Sequence, residues 1–253
     1  MTELVLVACA SALAGFVDAI VGGGGLILLP ALFALFPGTP AATLLGTNKA
    51  ASVWGTAWAC IQYARRVRLN WGALAPAVVC ALLGAMAGAW AVTQVDGHQF
   101  EQALPFVLTA VLAYTLMRKD LGRQHAPRLD ARREALAASA IAAVVGFYDG
   151  FFGPGTGSFF VFLFVRLLGH DFLHASAHAK LLNTATNASA LALFASQGLV
   201  WWEVALVAAV ANVVGAMLGA RLAIRRGAGF VRVFFIVVVG ALIINTAYNA
   251  FFR

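Results

Sequence analysis

Two glycine-rich interruptions in otherwise apolar stretches constrain the fold of this chain more than any other feature. The first, at 15–25, reads Gly-Phe-Val-Asp-Ala-Ile-Val and then four glycines; the second, at 146–157, reads Gly-Phe-Tyr-Asp-Gly-Phe-Phe-Gly-Pro-Gly-Thr-Gly. Each glycine in a helix interior costs roughly 1 kcal/mol relative to alanine, so a continuous helix should break at both places. Each interruption also carries a carboxylate, Asp18 or Asp149. We predict two broken or re-entrant helices that meet at a central site.

Composition places these broken helices in a membrane. Of the 253 residues, 62% are hydrophobic and only 11% are charged, whereas a soluble domain carries about 25% charged residues. The chain is therefore predicted to be an all-α polytopic membrane protein. In lipid, broken backbone and a buried carboxylate are tolerated only where protein covers them or where they line a wet cavity. The net charge of +7 fits Lys and Arg in cytoplasmic loops rather than nucleic-acid binding.

The first half of the chain contains one short apolar element followed by longer spans. Residues 26–36 are too few to cross about 30 Å of hydrocarbon, which needs roughly 20 helical residues. Longer spans are predicted at 42–63, 71–93 and 102–117, followed by a basic linker at 118–134.

The second half repeats the first at a constant offset of 131 residues. The matched residues include Asp18 with Asp149, Lys49 with Lys180, and the small-residue run Gly84-Ala85-Met86 with Gly215-Ala216-Met217. A register held over this length indicates an internal duplication, and the small residues indicate close helix packing. We predict a single transmembrane domain, 1–253, with the first repeat at 1–122 and the second at 132–253.

Loop charges predict that the two repeats are inverted. The loop between the second and third elements has three arginines between 65 and 68 in the first half and no charge at 195–200 in the second. The next loop reverses this bias, with acids in the first half and arginines in the second. Because positive loops stay in the cytoplasm, equivalent loops lie on opposite sides of the membrane. Each repeat is then a glycine-broken hairpin plus three transmembrane helices, with both termini periplasmic and the linker cytoplasmic. Whether the hairpins are re-entrant or full crossings is left open.

Four ionisable residues lie within apolar segments as two symmetric pairs. They are Asp18, Asp149, Lys49 and Lys180. Lys49 lies about 8 residues, or on the order of 12 Å, into its span, and inversion brings both lysines towards mid-depth. One interpretation is structural, with two buried Asp–Lys pairs that hold the bundle together. The other is a midplane site for an anion or a proton-coupled solute at the repeat interface.

Neutral polar groups and helix starts accompany the two lysines. Hydroxyl and amide side chains surround them: Thr47, Asn48, Ser52 and Thr56 in the first half, and Asn183, Thr184, Thr186 and Asn187 in the second. New half-helices should start near Gly24 and Gly155, with free N–H groups and positive dipole ends directed at an anion. The predicted substrate-binding residues are Thr47, Asn48, Lys49, Lys180, Asn183, Asn187, Gly24, Gly155 and Thr156. Asp18 and Asp149 are assigned to coupling or to orienting the lysines.

These motifs resemble those of a known family. The run from Gly15 to Gly25, with Pro30 and then Gly46-Thr47-Asn48-Lys49, is similar to the sulfite exporter TauE/SafE family of membrane transporters. The run from Tyr148 to Phe159 resembles its YfcA-type branch. The resemblance covers nearly the whole chain. It implies secondary transport, with export expected, of small sulfur-containing anions such as sulfite or sulfonates across a prokaryotic inner membrane.

Other functions compete with anion transport. His170, His174 and His178 recur every four residues, a spacing that can ligate a metal on one helix face, so a cation or metal transporter that uses this face and the membrane aspartates stays open. The first two histidines lie near a predicted loop boundary with Asp171, where a polar start of a helix is the commoner explanation. A passive anion channel also stays open, because sequence does not distinguish a leak from alternating access. The Gly-x-Gly-Asp of intramembrane aspartyl proteases and the GxxxxGK[ST] phosphate loop are both absent from the sequence.

We therefore predict a transporter that is not an enzyme and that has no catalytic residue, bound metal or cofactor. Its predicted partners are a small anionic solute and the lipid bilayer, and not nucleic acid. A homo-oligomer is left open.

Overall fold

The computed structural model describes residues 2–95 and 129–252, which form helices and contain no strand. The helices of the first half are α1, Thr2–Val21; α2, Gly25–Leu35; α3, Ala41–Ala64; and α4, Trp71–Val92. Those of the second half are α5, Ala131–Phe151; α6, Thr156–Leu163, continued by a π-helical turn, Phe164–Leu168; α7, Phe172–Ser196; and α8, Trp202–Phe252. The predicted span at 102–117 and linker residues 118–128 lie outside the described residues.

Within the described part of the chain, four helices are long and apolar enough to cross a membrane. They are α1, α4, α5 and the first part of α8, Trp202–Gly227. The α2 and α6 segments are apolar but shorter. Helices α3 and α7 have 24 and 25 residues and carry the buried lysines and amides. These lengths and compositions confirm the predicted class, an all-helical membrane protein.

Both predicted helix breaks occur where glycine interrupts the sequence. Helix α1 ends just before Gly22, which has φ of +84°, and α5 ends shortly before Gly153, which has φ of +88°. An L side chain rarely adopts this conformation, so glycine is required at both positions. The half-helices α2 and α6 begin three residues after that glycine in each case, close to Gly24 and Gly155 as the sequence predicts.

The most extensive helix contacts join the two halves of the chain. Helix α4 lies along α5, and α1 lies along α8. A Cβ on Gly88 would lie 2.0 Å from the carbonyl oxygen of Phe147, and a Cβ on Gly215 would lie 1.9 Å from that of Ala12. The small-residue faces predicted from the sequence are therefore the packing faces, and glycine allows the backbones to approach this closely.

The order of contacts along these two helix pairs shows the relative direction of the helices. The close approaches are Gly84 with Ala143, Gly88 with Phe147, Ala12 with Gly215, and Phe16 with Gly219. Residue numbers rise together in both pairs, so α4 runs parallel to α5 and α1 runs parallel to α8.

Candidate functional site

The two glycine segments are in direct contact. The Ser158 N–H donates to the carbonyl oxygen of Gly22 at 3.1 Å, and the Ser158 hydroxyl donates to the carbonyl oxygen of Val21 at 2.9 Å. A Cβ on Gly22 would lie 2.2 Å from the carbonyl carbon of Gly157. The absence of side chains on both glycines lets the two breaks meet, as predicted.

A cavity beside this contact is lined by residues of both halves. Its volume is about 20 Å³, counted as the space open to the centre of a water molecule. The lining residues are Asp18, Gly22, Gly25, Asn48, Lys49, Ser52, Thr56, Asp149, Gly153, Thr156, Gly157, Asn183 and Asn187. Charged groups, amides, hydroxyls and glycine backbone make up this lining, so the cavity is polar although apolar helices surround it.

Four buried charged residues form two ion pairs, and each pair joins the two halves. Lys49 Nζ lies 2.7 Å from Asp149 Oδ1, and Lys180 Nζ lies 3.0 Å from Asp18 Oδ2. Lys180 Nζ also donates to the main-chain oxygen of Asp18. Lys49 and Lys180 thus each pair with the carboxylate of the opposite half, and the four charges sum to zero. Of these residues, only Lys180 lies outside the cavity lining.

Most of the predicted site residues line the cavity. Five of the nine predicted substrate-binding residues do so: Asn48, Lys49, Thr156, Asn183 and Asn187. Both residues assigned to coupling, Asp18 and Asp149, also line it, as do Ser52 and Thr56. The hydroxyls of Thr184 and Thr186 donate instead to carbonyl oxygens of their own helix.

Three further predicted residues make contacts away from the cavity lining. The Thr47 hydroxyl accepts a hydrogen bond from the Trp201 N–H at 3.0 Å, which ties α3 to the start of α8. The Gly24 N–H donates to Asp18 Oδ1 at 3.3 Å, so it binds a carboxylate of the protein. Gly155 has φ of +79° and precedes α6, where it turns the backbone into the helix.

Two tyrosines that the sequence analysis did not assign stabilise the backbone around the breaks. The Tyr63 hydroxyl donates to the carbonyl oxygen of Ala19 at 3.0 Å, and the Tyr148 hydroxyl donates to that of Pro154 at 2.7 Å. Tyr148 stands beside Asp149 within the second motif, which is a signal that could have identified it. Tyr63 is an isolated residue near the end of α3, and nothing in the sequence marks it.

The prediction that three histidines share one helix face is wrong. Asp171 caps α7 by accepting hydrogen bonds from the N–H groups of Leu173 and His174, both at 2.8 Å, so the helix begins after His170. Burial acts to raise the pKa of the Asp171 carboxyl, but its hydrogen bonds with His174 outweigh this effect and lower that pKa. His174 therefore belongs to the helix start at Asp171, the alternative explanation that the sequence offers for these histidines.

The remaining two histidines form a separate buried cluster. His170 Nε2 lies 3.2 Å from Glu134 Oε1, and His170 Nδ1 lies 3.2 Å from His178 Nδ1. In residues 2–95 and 129–252, no group of three or more His, Cys, Asp or Glu side chains is arranged to hold a metal ion.

A helical membrane protein in which two broken helices meet at a buried, charged cavity has the architecture of a membrane transport protein. The model of the family described as sulfite exporter TauE/SafE matches residues 7–246. The chain belongs to this family, and the family and its relatives are membrane transporters rather than enzymes.

Three relatives are similar along most of their length. The chain is 38% identical over 238 residues to the probable membrane transporter protein ORF9 of Sinorhizobium sp, covering 93% of this chain and 89% of the relative. It is 36% identical over 229 residues to a probable membrane transporter protein of Haemophilus influenzae, covering 90% and 88%. It is 36% identical over 239 residues to the probable membrane transporter protein YfcA of Escherichia coli K12, covering 94% and 87%. No solved structure matches the chain significantly. The family resemblance inferred from the motifs is confirmed.

Proposed function

We propose that the protein is a secondary transporter that moves a small anion, a sulfur-containing oxyanion or an organosulfonate, out across the bacterial inner membrane. Transport proceeds by alternating access and is coupled to protons. The family description names sulfite exporters, which supports this class of solute. The observation that carries the proposal is the pair of reciprocal Lys–Asp contacts at one buried polar cavity.

Charge balance at the cavity favours proton coupling. With both lysines paired, an anion that enters meets no uncompensated positive charge, and adding one buried negative charge is unfavourable. Protonation of one carboxylate removes its negative charge and leaves the partner ammonium available to the solute. One proton and one monovalent anion then cross together without net charge. Such a carrier runs outward when the solute has accumulated in the cell.

The size of the cavity favours alternating access over a continuous pore. A space of about 20 Å³ for the centre of a water molecule admits on the order of one water, which is less than an oxyanion needs. The helices that meet at the glycine segments therefore separate to admit the solute. The packing of α4 on α5 and of α1 on α8 provides two units that can move against each other.

We also propose that the two halves are inverted repeats within one transmembrane domain, with 1–122 and 132–253 as the units. Helix α2 turns back along α1, because Gly24 lies against Ala14 and Asp18. The short connections after α2 and after α3 each reverse the chain direction once more. Helix α3 therefore runs in the direction of α1, and α4 runs in the opposite direction. Since α4 is parallel to α5, α5 is antiparallel to its counterpart α1. The basic loop after α3 is then cytoplasmic, and both termini are periplasmic.

Anion flux into proteoliposomes tests the proposed function. Purified protein is reconstituted and offered sulfite, sulfate, thiosulfate and a sulfonate, with and without a pH gradient. The expected result is uptake of at least one anion, accelerated when the outside is acidic and accompanied by proton uptake. Lys49→Gln should lose this flux, whereas Arg133→Gln, which removes a cation with 76% side-chain exposure, should keep it.

Three outcomes contradict parts of this proposal. Wild-type protein without flux of any of these anions would overturn the anion assignment. Flux that does not depend on the pH gradient would contradict the proposed coupling to protons. Flux at rates of many thousands of ions per second would favour the passive channel.

A further inference from the structure

The cavity lining is nearly symmetric under the repeat offset. Five pairs of lining residues stand 131 positions apart, two of which contribute hydrogen-bonding side chains from α3 and α7. The pairs are Asp18 with Asp149, Gly22 with Gly153, Gly25 with Thr156, Ser52 with Asn183, and Thr56 with Asn187. Positions where this symmetry fails are informative, because there a residue of one half lines the cavity and the equivalent residue of the other half does not.

The two departures that involve polar side chains are Lys49 and Asn48. Lys49 lines the cavity, but its counterpart Lys180 does not, because it is bound by the carboxylate and the main-chain oxygen of Asp18. Asn48 lines the cavity, and its counterpart is Ala179, which has no polar side chain. Both departures lie beside one of the two ion pairs, the Lys49–Asp149 pair.

The two carboxylates also differ in how fully they are bound. Asp18 Oδ1 accepts from the Gly24 N–H at 3.3 Å, and its Oδ2 accepts from Lys180 at 3.0 Å. Asp149 Oδ1 accepts from Lys49 at 2.7 Å, but its Oδ2 has no hydrogen-bond partner among the described residues. Asp149 is only 2% exposed, and a buried carboxylate oxygen without a donor is costly. A proton on this oxygen neutralises the carboxylate and turns the unpartnered acceptor into a donor.

The surroundings of Asp149 contain few other charges. The charged groups that share its cavity are Lys49 on α3 and Asp18 on α1, and Asp18 is already paired with Lys180 of α7. The cavity residues of α6 carry no charge, and the only titratable side chain of α4, which packs along α5, is Cys80. Among the described residues that line the cavity, Lys49 is the cation that balances the charge of Asp149, and a solute anion competes with Asp149 for Lys49.

We infer that Lys49, Asp149 and Asn48 form the working site of the proposed transporter, and that Lys180 and Asp18 form a fixed pair that joins the halves. This inference rests on the proposed anion transport. A proton from the open side bonds to Asp149 Oδ2 and leaves a neutral carboxylic acid. The Lys49 ammonium, no longer neutralised, binds the anion. Asn48 Oδ1, which has no partner within the described chain, accepts a hydrogen bond from water or from a protonated solute. On the other side the anion leaves, the proton leaves Asp149, and the ion pair re-forms.

Replacing both members of one ion pair with neutral side chains tests this division of roles, because no buried charge is then left without its partner. The variants are Lys49→Met with Asp149→Asn, and the matched Lys180→Met with Asp18→Asn. Both are reconstituted at equal amounts of monodisperse protein, and sulfite flux is measured from pH 5 to pH 8. The first variant should lose at least about tenfold in flux, the loss expected for a missing charge-assisted hydrogen bond. The second should keep flux that rises as the pH falls.

A second measurement decides the proton site without relying on transport. Infrared difference spectra recorded while the pH is changed should show a protonated-carboxyl band that Asp149→Asn removes and Asp18→Asn keeps. Loss of pH-dependent flux in the Lys180/Asp18 variant, or removal of the band by Asp18→Asn, would overturn the inference. Absence of anion flux in the wild-type protein would overturn the proposed function instead, and the infrared band would still assign the proton.

Discussion

Lys49 Nζ and Asp149 Oδ1 lie 2.7 Å apart, although α3 and α5 belong to opposite halves of the chain. Each of these residues is 2% exposed or less. Lys180 and Asp18 repeat the relationship with the roles of the halves exchanged. Each lysine is therefore paired across the interface between the halves and not with the aspartate of its own repeat.

This relationship predicts strong energetic coupling between Lys49 and Asp149. Lys49→Met leaves a buried carboxylate without its partner, which should lower the free energy of unfolding by about 3–5 kcal/mol, and Asp149→Asn should have a similar effect. The double variant should lose much less than the sum, because no charge is left unpaired. Denaturation of the four proteins in one detergent measures the double-mutant cycle. Additive losses would show that the two groups do not interact in the folded protein.

The contact between the glycine segments predicts a large difference between two glycine substitutions. Gly22 and Gly198 both have positive φ, at +84° and +70°, so alanine strains the backbone similarly at each, by roughly 1–2 kcal/mol. A Cβ on Gly22 would also lie 2.2 Å from Gly157, whereas a Cβ on Gly198 meets nothing within 4 Å. Gly198→Ala should give folded protein with slightly lower stability. Gly22→Ala should separate the two breaks and give little monodisperse protein on size exclusion.

Equal yields from these two variants would show that the Gly22–Gly157 approach is not required for folding. Gly38→Ala offers a second control, because Gly38 also has positive φ, +88°, and open space around the added carbon.

Substitution of Thr47 should change the stability of the protein rather than its affinity for the solute. Its hydroxyl accepts from the Trp201 N–H, and Thr47→Val leaves that donor without the bond, at a cost of about 1–3 kcal/mol. Thr47→Ser keeps the hydroxyl and should behave like the wild type. The measurement is the denaturation midpoint together with KM for anion flux. An increase in KM in Thr47→Val at unchanged stability would place Thr47 in the binding site, as the sequence analysis predicted.

The sequence predicts those features that depend on local chemistry or on the repeat. The breaks at Gly22 and Gly153 follow from glycine in an apolar helix. The membrane class follows from the scarcity of charge. The cavity position of Asp149 follows from the cost of a carboxylate in lipid, which requires a polar surrounding.

The sequence does not predict which lysine meets which aspartate. That choice depends on how α3 and α7 pack across the interface, and helix periodicity carries no information on packing between distant segments. For the same reason the sequence predicts Lys180 as a substrate-binding residue, whereas Asp18 holds it outside the cavity lining. The three histidines do not share one helix face for a local reason, since Asp171 starts the helix after His170, as the alternative explanation from the sequence has it.

The proposed inversion predicts opposite sidedness for Arg66 and Gln197, two residues that are equivalent at the offset of 131. Arg66 lies in the loop after α3, and Gln197 in the loop after α7. Cys9, Cys60 and Cys80 are first replaced by alanine, and Arg66→Cys and Gln197→Cys are then made singly. A membrane-impermeant maleimide should label Gln197→Cys in intact cells and Arg66→Cys only after the inner membrane is opened. The equivalent loops would then lie on opposite faces of the membrane. Such an inversion also accounts for the parallel packing of α4 with α5 and of α1 with α8. Labelling of both cysteines from the same side would mean parallel repeats, and the proposed placement of the termini in the periplasm would fail with it.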